Sequence, residues 1–441
     1  MQDAAVTTGE SGNKKWKVAF ILCFLALVVD GADVMLLSLS LSSIKADFGL
    51  STVEVGMLGS VTILGMGLGG IFGGWCSDKF GRVKAISVSV FVFSVLTGLL
   101  SITENVYQFA ALRFLSGVGL GTVYIVCAGL IAEYVPTKYR TTTIATLQTG
   151  WTFGYILASV MAGAIIPDFG WRMVFLVSTV SVVLAFLIYY FVPESESWKL
   201  AQKNKDKQIV NTKVKPQSSF GILFKDKAVL KILIFWIIAS SLLHVGYNGA
   251  NHWMPIYVEQ ELGLNFKSMT TYMIASYTAM IFGKVFAGIL ADKVGRRFSF
   301  MFGSISTAII LMLIVFYHSP TNIFYFLIAF GFFYGIPFGV YSTYMSESFP
   351  THIRGTALGT AHNVGRLGST LAPTLIGMIA AGYSIGYGFF VLGLAYLVCV
   401  IPLFFVREKL YDPQSASKDV DTTNSVGEAK SLNQASTNKA L

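Results

Sequence analysis

Charge is scarce in this sequence: Asp, Glu, Lys and Arg together make up 12% of its 441 residues, against 54% hydrophobic. Ordinary soluble domains carry about 25% charged residues, so that class is excluded, and no enzyme is expected. Cysteine is nearly absent. Cys23, Cys76, Cys127 and Cys399 lie within or at the ends of apolar runs and lack metal-ligand spacing, so they read as packing residues, with no metal or cofactor expected. A cleavable signal peptide is also unexpected. The chain is polar through Lys17, the apolar run that follows is too long for a signal-peptide core, and no small-residue cleavage site is evident.

Long apolar runs are what the chain has instead, at about 18–44, 53–76, 85–102, 106–133, 143–166, 172–192, 228–250, 269–290, 299–317, 322–346, 356–380 and 386–406. Each is long enough to cross a hydrocarbon core of about 30 Å as a helix. Twelve crossings are predicted, an all-α membrane protein of two six-helix bundles at 18–192 and 228–406. A hydrophilic, Lys-rich linker at 193–227 separates them, and polar tails occupy 1–17 and 407–441. The net charge of +9 needs no nucleic acid to explain it, because Lys and Arg concentrate in the tails, the linker and alternate loops. By the positive-inside rule both termini are cytoplasmic.

Two carboxylates interrupt the first run, in Val28-Val29-Asp30-Gly31-Ala32-Asp33-Val34. A charge at that depth costs roughly 2.5 to 3.5 kcal/mol, so Asp30 and Asp33 need a reason to be there. Their i, i+3 spacing predicts one shared helix face, where low dielectric and mutual repulsion favour holding a proton. They are candidate proton carriers. The plainer alternative is a structural pair satisfied by neighbouring helices.

The two halves repeat at an offset of 214 residues. Gly74, Asp78, Lys79, Gly81 and Arg82 recur as Gly288, Asp292, Lys293, Gly295 and Arg296; Glu133, Pro136 and Arg140 recur as Glu347, Pro350 and Arg354. A parallel repeat of this size implies two bundles around a central cavity that opens to alternate sides. The segments Gly74-Trp-Cys-Ser-Asp78-Lys79-Phe-Gly81-Arg82 and Gly288-Ile-Leu-Ala-Asp292-Lys293-Val-Gly295-Arg296 resemble the loop signature of the major facilitator superfamily. Within it, Asp30-Gly31-Ala32-Asp33 resembles the aspartate pair of the aromatic acid:proton symporters, bacterial importers of benzoate-like, hydroxybenzoate-like and related carboxylates.

That resemblance implies a bacterial inner-membrane symporter whose partners are protons and a small carboxylate. The loop residues Gly74, Asp78, Gly81, Arg82, Glu133, Arg140, Asp292, Gly295, Arg296, Glu347 and Arg354 would form a cytoplasmic network that latches the outward-facing state. Arg366, in Asn363-Val364-Gly365-Arg366-Leu367-Gly368, matches the family's helix 11 arginine and is expected to bind the substrate carboxylate, a permanent ion pair with Asp30 or Asp33 being the alternative. Arg113 resembles the superfamily's helix 4 arginine, with substrate contact or proton coupling weighed evenly against structure. Lys284 lies about two turns before the Asp292 loop and is expected to snorkel to the cytoplasmic surface.

His244 is the repeat counterpart of Asp30, and Tyr247 of Asp33, which makes both candidates for the substrate site. Two rival readings are weighed. A sugar or polyol porter is suggested by Pro193-Glu194-Ser195-Glu196-Ser197-Trp198, but Leu242 and Leu243 stand where sugar porters carry paired glutamines. Drug:proton antiport would want a Gly-Pro kink where Gly154-Tyr155 stands. The expected function is proton-coupled import of a carboxylate of the benzoate, hydroxybenzoate, nicotinate or muconate type. One chain contains both halves, so a monomer suffices.

Overall fold

The computed structural model describes residues 10–135, 137–196, 198–199, 225–319, 322–349 and 354–406. Among these there is no β-strand. Thirteen α-helices follow in order: α1 Glu10–Phe48, α2 Thr52–Phe80, α3 Arg82–Leu99, α4 Val106–Tyr134, α5 Thr137–Ser178, α6 Val182–Phe191, α7 Lys227–Ile256, α8 Phe266–Val294, α9 Arg296–Tyr317, α10 Ile323–Glu347, α11 Arg354–Gly368, α12 Ala372–Gly382 and α13 Ile385–Val398. Most of the expected linker and the whole C-terminal tail lie outside the described residues.

Helix boundaries follow local chemistry. Ser51 and Glu54 form a reciprocal capping box at the start of α2, while Asn105, Asp226 and Asn265 accept backbone N–H groups at the starts of α4, α7 and α8. Gly81 (φ 109°) and Gly295 (φ 100°) separate α2 from α3 and α8 from α9 in a conformation that disfavours any other residue. These two glycines of the repeated loop signature therefore have a backbone reason. Gly74 has none here, since a Cβ added to it would meet nothing within 4 Å.

Among the described residues eleven helical spans are long and apolar enough to cross a membrane, and the span Thr146–Phe191, at 46 residues, is long enough for two crossings. Gly170 breaks it (φ 77°, ψ 172°). Before the break Thr146 lies near Asp292 and Arg296 of the loop signature, just past it Arg172 pairs with Asp47 at the end of α1, and further on Glu194 meets the start of α3, back at the loop-signature end. The chain has crossed twice. This gives the twelve crossings that the sequence predicts, with α11 and α12 forming the eleventh around a turn at 369–371. Backbone bonding continues through the interruption, with Ser369 N, Thr370 N and Ala372 N donating to the carbonyls of Arg366, Leu367 and Ser369 at 3.1, 3.0 and 3.0 Å, and Ser369 Oγ receives Asn248 Nδ2 at 2.8 Å.

Helices α1–α6 form one bundle and α7–α13 the other, each held by small residues at crossings. Gly31 and Gly154 let α1 and α5 touch backbone to backbone, an added Cβ on Gly154 falling 2.6 Å from Ala32 N. The bundles are closed against each other at the end away from the loop signature. There Ser60 and Thr374 hydroxyls lie 2.7 Å apart, His252 Nε2 is 3.1 Å from the Val55 carbonyl, and Gly56 backs on Pro373. At the loop-signature end a vestibule lined by Thr146, Gln148, Lys284, Asp292 and Arg296 separates them. The structure is open on that side.

Candidate functional site

The vestibule leads to a central cavity between the bundles. Its wall takes Tyr124, Gln148 and Trp151 from the first bundle and His244, Tyr247, Asn248, Lys284, Phe338, His362 and Arg366 from the second. Arg366 and Trp151 also line a smaller chamber, ≈ 440 Å³, that continues toward the closed end past Asn251 and His252. The two residues thus form the partition, with the guanidinium 5.4 Å from the indole centroid and its Nη2 3.7 Å from Met66 Sδ.

Arg366 is 6% exposed, and among the described residues no carboxylate lies within ion-pairing distance of it. The expected alternative, a permanent pair with Asp30 or Asp33, is therefore not formed in this conformation. Lys284 departs from expectation as well. Its ammonium does not snorkel but donates to Thr152 Oγ1 at 2.8 Å, across the bundle interface, from a position lining the cavity. Charge from the second bundle thus dominates the cavity.

The two aspartates face different neighbours. Asp30 Oδ2 accepts Trp151 Nε1 at 2.9 Å, and Oδ1 is buried with no hydrogen-bond donor. Asp33 instead pairs with Arg113 at 2.9 Å and accepts Thr97 Oγ1 at 2.7 Å. Residues at i, i+3 are rotated about 60° from each other on a helix, enough here to send one side chain to α5 and the other between α3 and α4. Arg113 is wholly buried in the first bundle, 5.0 Å from the Phe175 ring centroid, and does not line the central cavity. Its place is beside Asp33.

His244 and Tyr247 both reach the cavity. His244 Nδ1 donates to the Ser240 carbonyl at 2.8 Å, which leaves Nε2 as the free ring nitrogen, and the Tyr247 hydroxyl donates to Tyr155 at 3.3 Å. The Tyr247 ring lies 4.2 Å from that of Phe338. Phe338, Gln148 and Asn248 were missed by the sequence reading. The repeat held the signal, because Phe338 is the counterpart of Tyr124 and His362 of Gln148 at the same 214-residue offset that relates Asp30 to His244.

The loop-signature charges form one cluster per bundle. Arg82 pairs with Asp78 and, at 3.2 Å, with Glu133; Arg296 pairs with Asp292 at 2.5 Å and with Glu347 at 3.4 Å. The side chains of Arg140 and Arg354 lie outside the described residues. Glu194, in the stretch after the sixth crossing, accepts Arg82 N at 2.9 Å and Val83 N at 3.1 Å, capping α3. Each of these pairs joins residues of one bundle and is present while the bundles are apart at this end.

A family model described as Major Facilitator Superfamily matches residues 23–373 and 275–439. The chain belongs to the major facilitator superfamily. A cis,cis-muconate transport protein of Acinetobacter baylyi is 56% identical over 406 residues, covering 92% of this chain and 98% of that one. A benzoate transport protein of the same species is 26% identical, covering 94% and 96%. The resemblance to the aromatic-acid branch of the superfamily, read from Asp30-Gly31-Ala32-Asp33, is borne out by these relatives. Among solved structures, a D-xylose-proton symporter superposes with a TM-score of 0.74 at 21% identity, over 89% of this chain and 98% of that one. That likeness is one of fold. The superfamily consists of transporters, and this protein is not an enzyme.

Proposed function

We propose that the protein imports an organic carboxylate of the aromatic or ring-cleavage class, together with protons, by alternating access across a bacterial inner membrane. One observation carries the reading: Arg366 and Lys284 face the central cavity with no ion-paired carboxylate among the described residues, so the site is charged to receive an anion. The names of the relatives, cis,cis-muconate and benzoate transport proteins, support the same substrate class.

Proton exchange is assigned to Asp30 and Asp33. Asp30 holds a buried oxygen without a donor, which suits a neutral carboxyl better than an anion. Asp33 exchanges its proton against its pair with Arg113, so that loading one aspartate releases a buried guanidinium. Arg366 binds the substrate carboxylate, with His244 and Tyr247 as neutral polar wall and Arg113 acting through Asp33 rather than by substrate contact.

The loop-signature end is assigned to the cytoplasm because Lys79, Arg82, Lys84, Lys293, Arg296 and Arg297 gather there. On that assignment both termini are cytoplasmic and the conformation faces inward. One proton with a monoanion moves no net charge, and each further proton adds roughly 2.3 kcal/mol per 100 mV of membrane potential. A single chain supplies the whole pathway, so the working unit is a monomer. A sugar porter would carry paired glutamines where Leu242 and Leu243 stand, and two cavity cations suit an anion better than a neutral polyol.

The test is uptake into proteoliposomes of radiolabelled benzoate, hydroxybenzoate, nicotinate, muconate, glucose and a cationic dye, under an inward proton gradient. Accumulation of one or more of the acids, abolished by a protonophore, is expected. Glucose uptake without acid uptake would overturn the reading.

A further inference from the structure

Both cavity cations come from the second bundle, and neither is explained by the repeat. The counterpart of Arg366 at the 214-residue offset is Thr152, and that of Lys284 is Gly70. Lys284 meets Thr152 directly, through the hydrogen bond from Nζ to Oγ1. A positive charge therefore stands at each of two positions where the first half of the chain carries none.

Arg366 and Lys284 occupy opposite ends of the cavity. Arg366 also borders the chamber toward the closed end, whereas Lys284 also borders the vestibule toward the open end. Between them the wall is built from Tyr124, Trp151, Tyr247 and Phe338, with no Asp or Glu among the lining residues. Asp30 lies outside that wall, behind the Trp151 indole. Once Asp30 carries a proton, nothing in the cavity wall compensates either cation.

We infer that Lys284 is a second carboxylate anchor, so that the cavity takes a dicarboxylate held end to end, one carboxylate on Arg366 and the other on Lys284. This rests on the carboxylate reading above and goes beyond it in naming the charge and the shape of the substrate. A monocarboxylate on Arg366 leaves the ammonium of Lys284 facing a low-dielectric cavity with a single neutral hydroxyl, which is costly for a charge. A dicarboxylate neutralises both, and a flat, conjugated spacer between its ends suits aromatic walls.

The partner that Lys284 gives up has a consequence. Thr152 belongs to α5 and Lys284 to α8, so their hydrogen bond ties the two bundles together beside the vestibule. A carboxylate that takes the ammonium releases that tie. The second anchor thereby couples occupancy of the site to relative movement of the bundles.

The experiment is calorimetric binding of cis,cis-muconate and of benzoate to the purified full-length protein, for wild type, Lys284→Met and Lys284→Arg. A lost charge-assisted contact corresponds to a muconate affinity about ten- to a hundredfold weaker in Lys284→Met. Benzoate affinity is expected to fall by clearly less than muconate affinity in that variant, an unchanged thermal unfolding midpoint serving as its folding control, and Lys284→Arg is expected to retain muconate binding. Equal effects on both ligands, or none on either, would overturn the second anchor. Wild type that binds benzoate but not muconate would overturn it too, leaving the carboxylate reading in place. Wild type that binds neither acid would remove both.

Discussion

The guanidinium of Arg113 lies 2.9 Å from the carboxylate of Asp33 in the interior of the first bundle, with the two side chains 0% and 4% exposed. Asp30, one turn earlier on the same helix, has no cation within ion-pairing distance among the described residues and hydrogen-bonds to Trp151 instead. The two aspartates that stand together in the sequence are thus chemically separate, one paired inside its bundle and one buried behind the Trp151 indole of the cavity wall.

Breaking the buried pair is expected to be costly. Removing one partner of a buried ion pair leaves an uncompensated charge and typically costs about 3 to 5 kcal/mol, whereas replacing both by apolar residues of similar volume is far milder. Arg113→Met should lower the thermal unfolding midpoint in detergent markedly, and Arg113→Met combined with Asp33→Leu should recover most of the loss. Equal destabilisation in the single and double variants would place the cost elsewhere.

Asp30→Asn removes the titrating proton behind Trp151 while keeping the shape and a hydrogen-bonding oxygen for the indole. Uphill accumulation driven by a pH gradient should disappear, and exchange of internal for external substrate should persist and lose its dependence on pH. Full proton-driven accumulation in this variant would leave Asp33 alone as the coupling group.

Arg366→Lys keeps the charge but loses the planar fork, so it separates charge from geometry at the partition between the chambers. Carboxylate affinity is expected to fall, by about tenfold for the loss of a charge-assisted hydrogen bond. Unchanged affinity would make Arg366 a packing partner of Trp151.

The closed end offers a lock. Ser60 and Thr374 hydroxyls are 2.7 Å apart across the bundle interface, so cysteines at both positions are placed for a disulfide. Oxidation of Ser60→Cys/Thr374→Cys in an otherwise cysteine-free chain should halt transport while leaving cavity residues accessible to reagents from the loop-signature side, and reduction should restore it. Transport that continues with the disulfide formed would contradict alternating access at this interface.

Much of this architecture was legible because the membrane forces it to be. Twelve apolar runs marked the crossings, and the 214-residue offset paired Gly81 with Gly295, both of which have positive φ in the structure. What the sequence concealed was direction around a helix axis. The spacing of Asp30 and Asp33 suggested one face, but about 60° of rotation gave them partners on different helices. Lys284 was within snorkelling reach of the loop end by length alone, and its actual direction was set by how α8 is rotated against α5. Phe338, Gln148 and Asn248 are ordinary membrane residues one by one. They become a wall only when the two halves are folded against each other.

The most direct test of the central claim is the movement of protons with substrate. Proteoliposomes enclosing a pH-sensitive dye would be given an inward gradient of muconate at equal internal and external pH, with protein-free liposomes as the control for passive entry. Proton symport predicts acidification of the lumen that depends on the protein and is lost in Asp30→Asn. Entry of muconate with no change in lumenal pH would contradict it.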